Sequence, residues 1–143
     1  MPEEKRLPDQ ASVARACGDG HDDGVVTAGA FAMRRNEIPL RKISVDWVEC
    51  PYDSEHNRNE DGSVARLKAR GVTRSQPVAF LPVADIHAIR RRDIAVSVIQ
   101  DGHGQGAGRC HSAISGFTNS LIVFEIQQVL ADIANRRPLK WIR

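Results

Sequence analysis

Between Asn119 and Arg137 the chain carries a sustained helical repeat: Ile122, Ile126, Val129, Leu130 and Ile133 fall at i, i+4, i+7, i+8 and i+11. Thr118, Asn119 or Ser120 can cap its start, Arg136 and Arg137 suit the negative end of its dipole, and Pro138 ends it. A helix with one apolar stripe must bury that stripe. The rest of the sequence offers strands rather than a second helix of comparable quality, so the helix is expected to pack across a sheet.

The clearest strand is KISVDWVEC, Lys42 to Cys50, where Ile43, Val45 and Trp47 alternate with Ser44 and Asp46. This period places Asp46 on the opposite face from Trp47. Pro77 to Val83, Ile94 to Gln100 and Cys110 to Ser115 are further strand candidates, and Pro82, which has no N–H, marks an end or an edge. Ala11 to Cys17 fits a short strand or one helical turn, and Val25 to Met33 is β-permissive. Ser63 to Gly71 predicts a two-turn helix capped by Ser63 and stopped by Gly71, and Ala84 to Asp93 a short helix or turn. The polar run Pro51 to Gly62 reads as a mobile loop, and Gly18 to Gly24 as a turn. The expectation is an α+β fold: residues 1–10 a flexible tail, and residues 11–143 one domain with a mixed or antiparallel sheet of about four to five strands and the C-terminal amphipathic helix packed on one face.

At 143 residues the chain can enclose one core, and its 41% apolar and 27% charged residues are ordinary for a globular protein. With 20 basic and 18 acidic residues the net charge is +2, too balanced to mark a dedicated nucleic-acid binder. No apolar run approaches the roughly 18 residues of a membrane span, and MPEEKRLPDQ lacks the apolar core of a signal peptide. Cys17, Cys50 and Cys110 are odd in number and irregular in spacing, which argues against a disulfide framework and fits a reducing, cytoplasmic setting.

Chemistry-bearing residues concentrate in DGHGQGAGRCHSAISG, Asp101 to Gly116. Glycines 102 and 104, with Ala107 in the third place, come near a dinucleotide fingerprint, but an extended segment follows where a helix should open. The loop from Gly102 to Gly108 is therefore read as a connection between strands. Cys17 and His21 could join His103 and Cys110 around a metal ion, yet nothing in the spacing ties the two pairs together, so neither a metal nor a cofactor is assigned. Cys110 lies between Arg109 and His111, and a cation lowers a thiol's pKa. On a strand, however, residues 110 and 111 face opposite ways, and a half-buried thiol is the plainer account.

His111 is the better candidate. If Ser112 and Ile114 face the core, His111 shares the other face with Ser44 and Asp46, and a carboxylate partner, Asp46 or Glu49, can orient its imidazole for acid–base work. The plain alternative is a surface histidine on an open sheet face. Arginine clusters at Met33 to Glu37, at Arg90 to Arg92 and in the basic tail Asn135 to Arg143, with Trp141, could meet nucleic acid, although such clusters commonly solvate a surface.

SVDWVE (Ser44 to Glu49) together with CHSAISG (Cys110 to Gly116), preceded by AFAM (Ala30 to Met33), resembles a family of small uncharacterised bacterial proteins with an S-V-x-W-[LV]-E strand and a later S-H-A-x-I-x-G strand. Trp47, Glu49, His111, Ile114 and Gly116 fit the pattern; Cys110 and Ser112 depart from its serine and alanine. The resemblance implies a bacterial source and singles out His111, and it brings no activity with it.

No complete catalytic set can be assembled from these residues. The leading expectation is a binding or accessory protein acting through a protein partner or self-association. A small enzyme using His111 with Asp46 or Glu49 is the second reading, and a nucleic-acid-binding module using Arg90 to Arg92 and the basic tail the third.

Overall fold

The computed structural model describes residues 5–91, 94–104, 106–117 and 120–143, without the side chains of residues 120–122. Arg92, Thr118, Asn119 and the Ile122 side chain, named above, lie outside the described residues.

Seven strands form one antiparallel sheet: β1 (Lys5–Arg6), β2 (Ser12–Ala16), β5 (Ile43–Trp47), β6 (Gln76–Pro82), β9 (Ser97–Gln100), β10 (His111–Ser115) and β11 (Lys140–Ile142). Their order is β1-β9-β10-β5-β2-β6-β11. Two small ribbons flank it, β3 (His21–Asp22) with β4 (Val25–Val26), and β7 (Arg90–Arg91) with β8 (Ile94–Ala95). The helices are α1 (Glu60–Ala69), α2 (Val83–His87) and α3 (Ser120–Ala134).

The sheet has more strands than expected because both termini join it. Leu7 is buried and donates its N–H to Val98 O at 2.9 Å, so part of the stretch assigned to a flexible tail is packed on β9. At the other end Lys140, Trp141 and Ile142 pair with Val78, Pro77 and Gln76 of β6, and Ile142 is buried, so the basic tail is an edge strand. Each of these strands is two or three residues long. Such a segment shows too few alternations to be read from its own pattern.

The period-two reading of β5 sorts the sheet's faces. Ile43 and Val45 join Val13, Leu81, Val98 and Ile114 under α3, whose Ile126, Leu130 and Ile133 are buried against them, with Phe31 from a 3-10 turn (Ala28–Phe31) filling the same layer. Of the β-permissive stretch 25–33, Val25–Val26 alone forms a strand. On the opposite face Leu67 of α1 packs on Ala14, Ala16, Val78 and Phe80. A second helix thus covers the face that was left open in the sequence reading. It starts three residues earlier than expected, at Glu60, and its cap is Asn59, whose side chain accepts from Gly62 N at 3.0 Å and so satisfies an otherwise orphaned helix donor.

Candidate functional site

The face beneath α1 is polar because of what α1 presents to it. Arg66 and Arg70 stand four residues apart and so share one side of the helix. Arg66 is fully buried and donates from Nε to Asp46 Oδ2 at 3.0 Å, from Nη2 to the same oxygen at 2.9 Å, and from Nη1 to Asp53 Oδ2 at 3.2 Å. Its Nη2 also reaches the Trp47 and Val48 carbonyls, each at 2.9 Å. Ser63, read above as a helix cap, instead donates its hydroxyl to Asp46 Oδ2. Asp53 additionally accepts from Glu55 N at 2.9 Å and from His56 Nδ1 at 2.7 Å. Burial alone would raise the Asp53 pKa, but these donors outweigh it and hold it at about 2. They also give the stretch read as a mobile loop a fixed anchor.

Asp46 and His111 are cross-strand partners in the β5–β10 ladder, and Ser44 lies opposite Ala113, so the face predicted to carry Ser44, Asp46 and His111 is formed. Neither carboxylate proposed as the partner of His111 bonds to it. Asp46 is committed to Arg66, Ser63 and Arg70, whose Nη1 lies 3.1 Å from Oδ1. Glu49 is exposed and accepts from Ser12 N at 2.8 Å, a bond that ties β2 to the end of β5. The imidazole is held instead by Asp101: His111 Nδ1 donates to Asp101 Oδ1 at 2.6 Å. Burial pushes the Asp101 carboxyl up, yet the His111 hydrogen bond and the charges of His111 and Lys42 bring it below the ordinary aspartate value. With Nδ1 carrying the donated proton, the neutral ring presents Nε2 as its basic atom. His87 shows the contrast. Its Nδ1 donates to Asp9 at 2.6 Å while Nε2 accepts from Val98 N at 3.0 Å, so both nitrogens serve the fold.

The glycine-rich loop joins β9 to β10, as expected, and it is fastened at several points. Gly102 N donates to His111 O at 3.0 Å, Gln100 Nε2 to Arg109 O at 2.8 Å, and Arg70 Nη2 to Ala107 O at 3.0 Å. The Arg109 guanidinium lies 3.8 Å from the Tyr52 ring centroid. Cys110 is joined to Cys50 in a buried disulfide, with Cα atoms 5.5 Å apart. This overturns the expectation of unpaired cysteines, since the odd count resolves into one disulfide and one spare thiol, and it removes the cysteine argument for a reducing setting. The disulfide also removes Cys110 as a nucleophile or a metal ligand. Cys17 is free and buried, and that burial pushes its thiol up to about 11. His103 is exposed, and among the described residues no group of three or more His, Cys, Asp or Glu side chains could hold a metal ion.

The other cationic candidates are spread out and largely engaged. Arg90 and Arg91 donate to local carbonyls. Arg137 lies 3.7 Å from Glu60 and Lys140 2.9 Å from Asp61, so the C-terminal cations meet the acidic first turn of α1. Arg74 pairs with Asp19.

A cavity of about 230 Å³ opens beside the site, with Arg34, Asn36, Ser44, Arg70 and His111 on its polar side and Leu67 and Val72 on its apolar side. Arg34 was legible only as part of a surface cluster. Its Nη2 donates to Ala16 O at 2.5 Å, and among the described residues it forms no salt bridge. Burial of its guanidinium and the charge of nearby Arg15 both lower its pKa, only partly offset by Glu37. Glu37 is spoken for by Arg15, with Nη1 at 2.7 Å from Oε2 and Nη2 at 3.1 Å from Oε1. Arg34, an exposed residue, therefore brings to the cavity it shares with Arg70 and His111 a cation that forms no ion pair with a carboxylate among the described residues. The residues missed at the sequence level are Asp101, Arg34 and Arg70. The four-residue spacing of Arg66 and Arg70 was the signal available for the last.

Among the described residues no helix is long and apolar enough to cross a membrane. Comparison with protein-family models, with curated proteins and with solved structures finds no match to this chain.

Proposed function

We propose that this chain is a binding protein whose cavity between α1 and the turn at residues 34–36 takes a small anionic group. The observation that carries this reading is the Arg34 cation, which forms no salt bridge among the described residues and stands beside Arg15 at the cavity. Two guanidiniums, Arg15 and Arg34, repel each other across a single shared carboxylate, and an anion in the cavity relieves that repulsion. Arg70 adds a second guanidinium at the cavity, held in place by Asp46 and by Ala107 O. His111, which also lines the cavity, supplies a further polar side chain. The class is the binding protein expected from the sequence, with a small anion in place of a protein partner.

Isothermal titration calorimetry with inorganic phosphate and with a nucleoside monophosphate tests it. Arg34→Gln and Arg70→Gln are expected to weaken binding by roughly tenfold or more, the scale of one charge-assisted contact. Arg90→Gln, outside the cavity, is expected to leave it unchanged. Absence of binding to the wild-type chain, or equal loss in Arg90→Gln, overturns the reading.

A further inference from the structure

Resting on the anion-site reading, we infer that the cavity is an active site whose substrate class is a ribonucleotide phosphodiester, cleaved by its own neighbouring 2′-hydroxyl with His111 as the base. Two independent features carry this. The first is the His111–Asp101 pair. A carboxylate 2.6 Å from Nδ1 fixes the tautomer and leaves Nε2 as the ring's proton acceptor, and His111 lines the cavity together with Arg34 and Arg70. A base beside guanidiniums suits a reaction in which a proton leaves a hydroxyl while negative charge grows on phosphate oxygens.

The second feature is the shape around Arg34. Arg34 borders three hollows: the 230 Å³ cavity, a hollow of about 350 Å³ that also touches Val72, Arg74 and Gln76, and one of about 340 Å³ that reaches Thr27 and Met33, the last two meeting at Gly18 and Asp19. A simple anion fills one of them. A phosphodiester seated on Arg34 places a nucleoside on either side, with Asn36 beside the first hollow for a base edge and the Arg70 and Arg74 planes beside the first and second for stacking.

The step balances without an outside reagent. His111 Nε2 takes the proton of the 2′-hydroxyl, and O2′ forms a bond to phosphorus. The bond from phosphorus to the 5′-oxygen of the next nucleotide breaks. That oxygen takes a proton from water, and His111 later returns its proton to solvent. The products are a 2′,3′-cyclic phosphate and a free 5′-hydroxyl. DNA, which lacks the attacking hydroxyl, is bound and left intact.

The test incubates the full chain with uridylyl-3′,5′-adenosine and with its analogue lacking the 2′-hydroxyl of the uridine, resolves products by chromatography, and measures binding of both by calorimetry. The ribose compound is expected to yield the cyclic phosphate, and the deoxy compound to bind uncut. His111→Ala is expected to lower the rate by roughly 100-fold or more. Asp101→Asn, a positioning change, is expected to lower kcat by roughly tenfold or more with KM unchanged, which a purely structural loss would not produce. Binding of the ribose compound without cleavage overturns this inference and leaves the anion site standing. So does cleavage that persists in His111→Ala or that consumes the deoxy compound equally. Failure of both phosphate and the dinucleotide to bind removes both readings.

Discussion

Asp46 and His111 sit directly opposite one another in the β5–β10 ladder, yet the carboxylate bonds to Arg66 while the imidazole bonds to Asp101. The reason is the helix laid over that face. Arg66 is wholly buried and can satisfy its donors only on Asp46, Asp53 and the Trp47 and Val48 carbonyls, so Asp46 is held beneath α1. Arg66→Ala takes from two buried carboxylates the guanidinium they share and is expected to cost about 3–5 kcal/mol in urea denaturation. A loss below about 1 kcal/mol, the range of an exposed pair, would show that the network does not hold α1 on the sheet.

The second buried pair, Arg15 with Glu37, makes stability depend on acid pH. Burial raises the Glu37 pKa, but the Arg15 hydrogen bond and charge, together with the Arg34 and Ser44 N–H groups, lower it from 4.5 to about 2. A depressed carboxylate stabilises the fold fully above its unfolded value, and that contribution fades as pH falls from about 4.5 toward 2. Glu37→Gln is expected to lose about 3 kcal/mol at pH 7, with the gap from wild type closing across that window. Denaturation at a series of pH values checks it; a constant gap would contradict the assignment.

The Cys50–Cys110 bond spans 60 residues of sequence, a separation for which the chain-entropy account gives about 4 kcal/mol. The Cys50→Ser, Cys110→Ser double variant is expected to lose stability on that scale. Thiol titration of the non-reduced protein in denaturant should find one reactive group, Cys17, and three after reduction. Three at the outset would mean that the bond does not form.

Two glycines of the loop are expected to respond differently to alanine. A Cβ at Gly102 would collide with the Gly108 carbonyl, whereas Gly104 has open space and only its left-handed φ of +86° to lose. Gly104→Ala should cost about 1–2 kcal/mol. Gly102→Ala should cost about 3 kcal/mol, the scale of overpacking, and shift the Asp101 and His111 resonances in NMR spectra, because Asp101 is its chain neighbour. Equal effects at the two sites would mean that the loop can move aside.

What the amino-acid order determined by itself is the set of properties that repeat within a few residues. The stripe of α3, the alternation that places Ser44 and Asp46 on the face away from Ile43 and Val45, and the turn role of the glycine-rich loop are all of this kind, and each follows from a period of 3.6 or 2 or from a local backbone preference. Tertiary structure decided the pairings. Asp46 had three basic or polar groups in reach only once α1 lay over β5, Cys50 met Cys110 only once β10 paired with β5, and Lys140–Ile142 became a strand only by lying against β6. Arg34 entered the site by the same route, carried there by the Arg15–Glu37 pair that anchors its turn. Partners tens of residues apart leave no local period, because their meeting depends on strand order and on which buried charge finds its donors first.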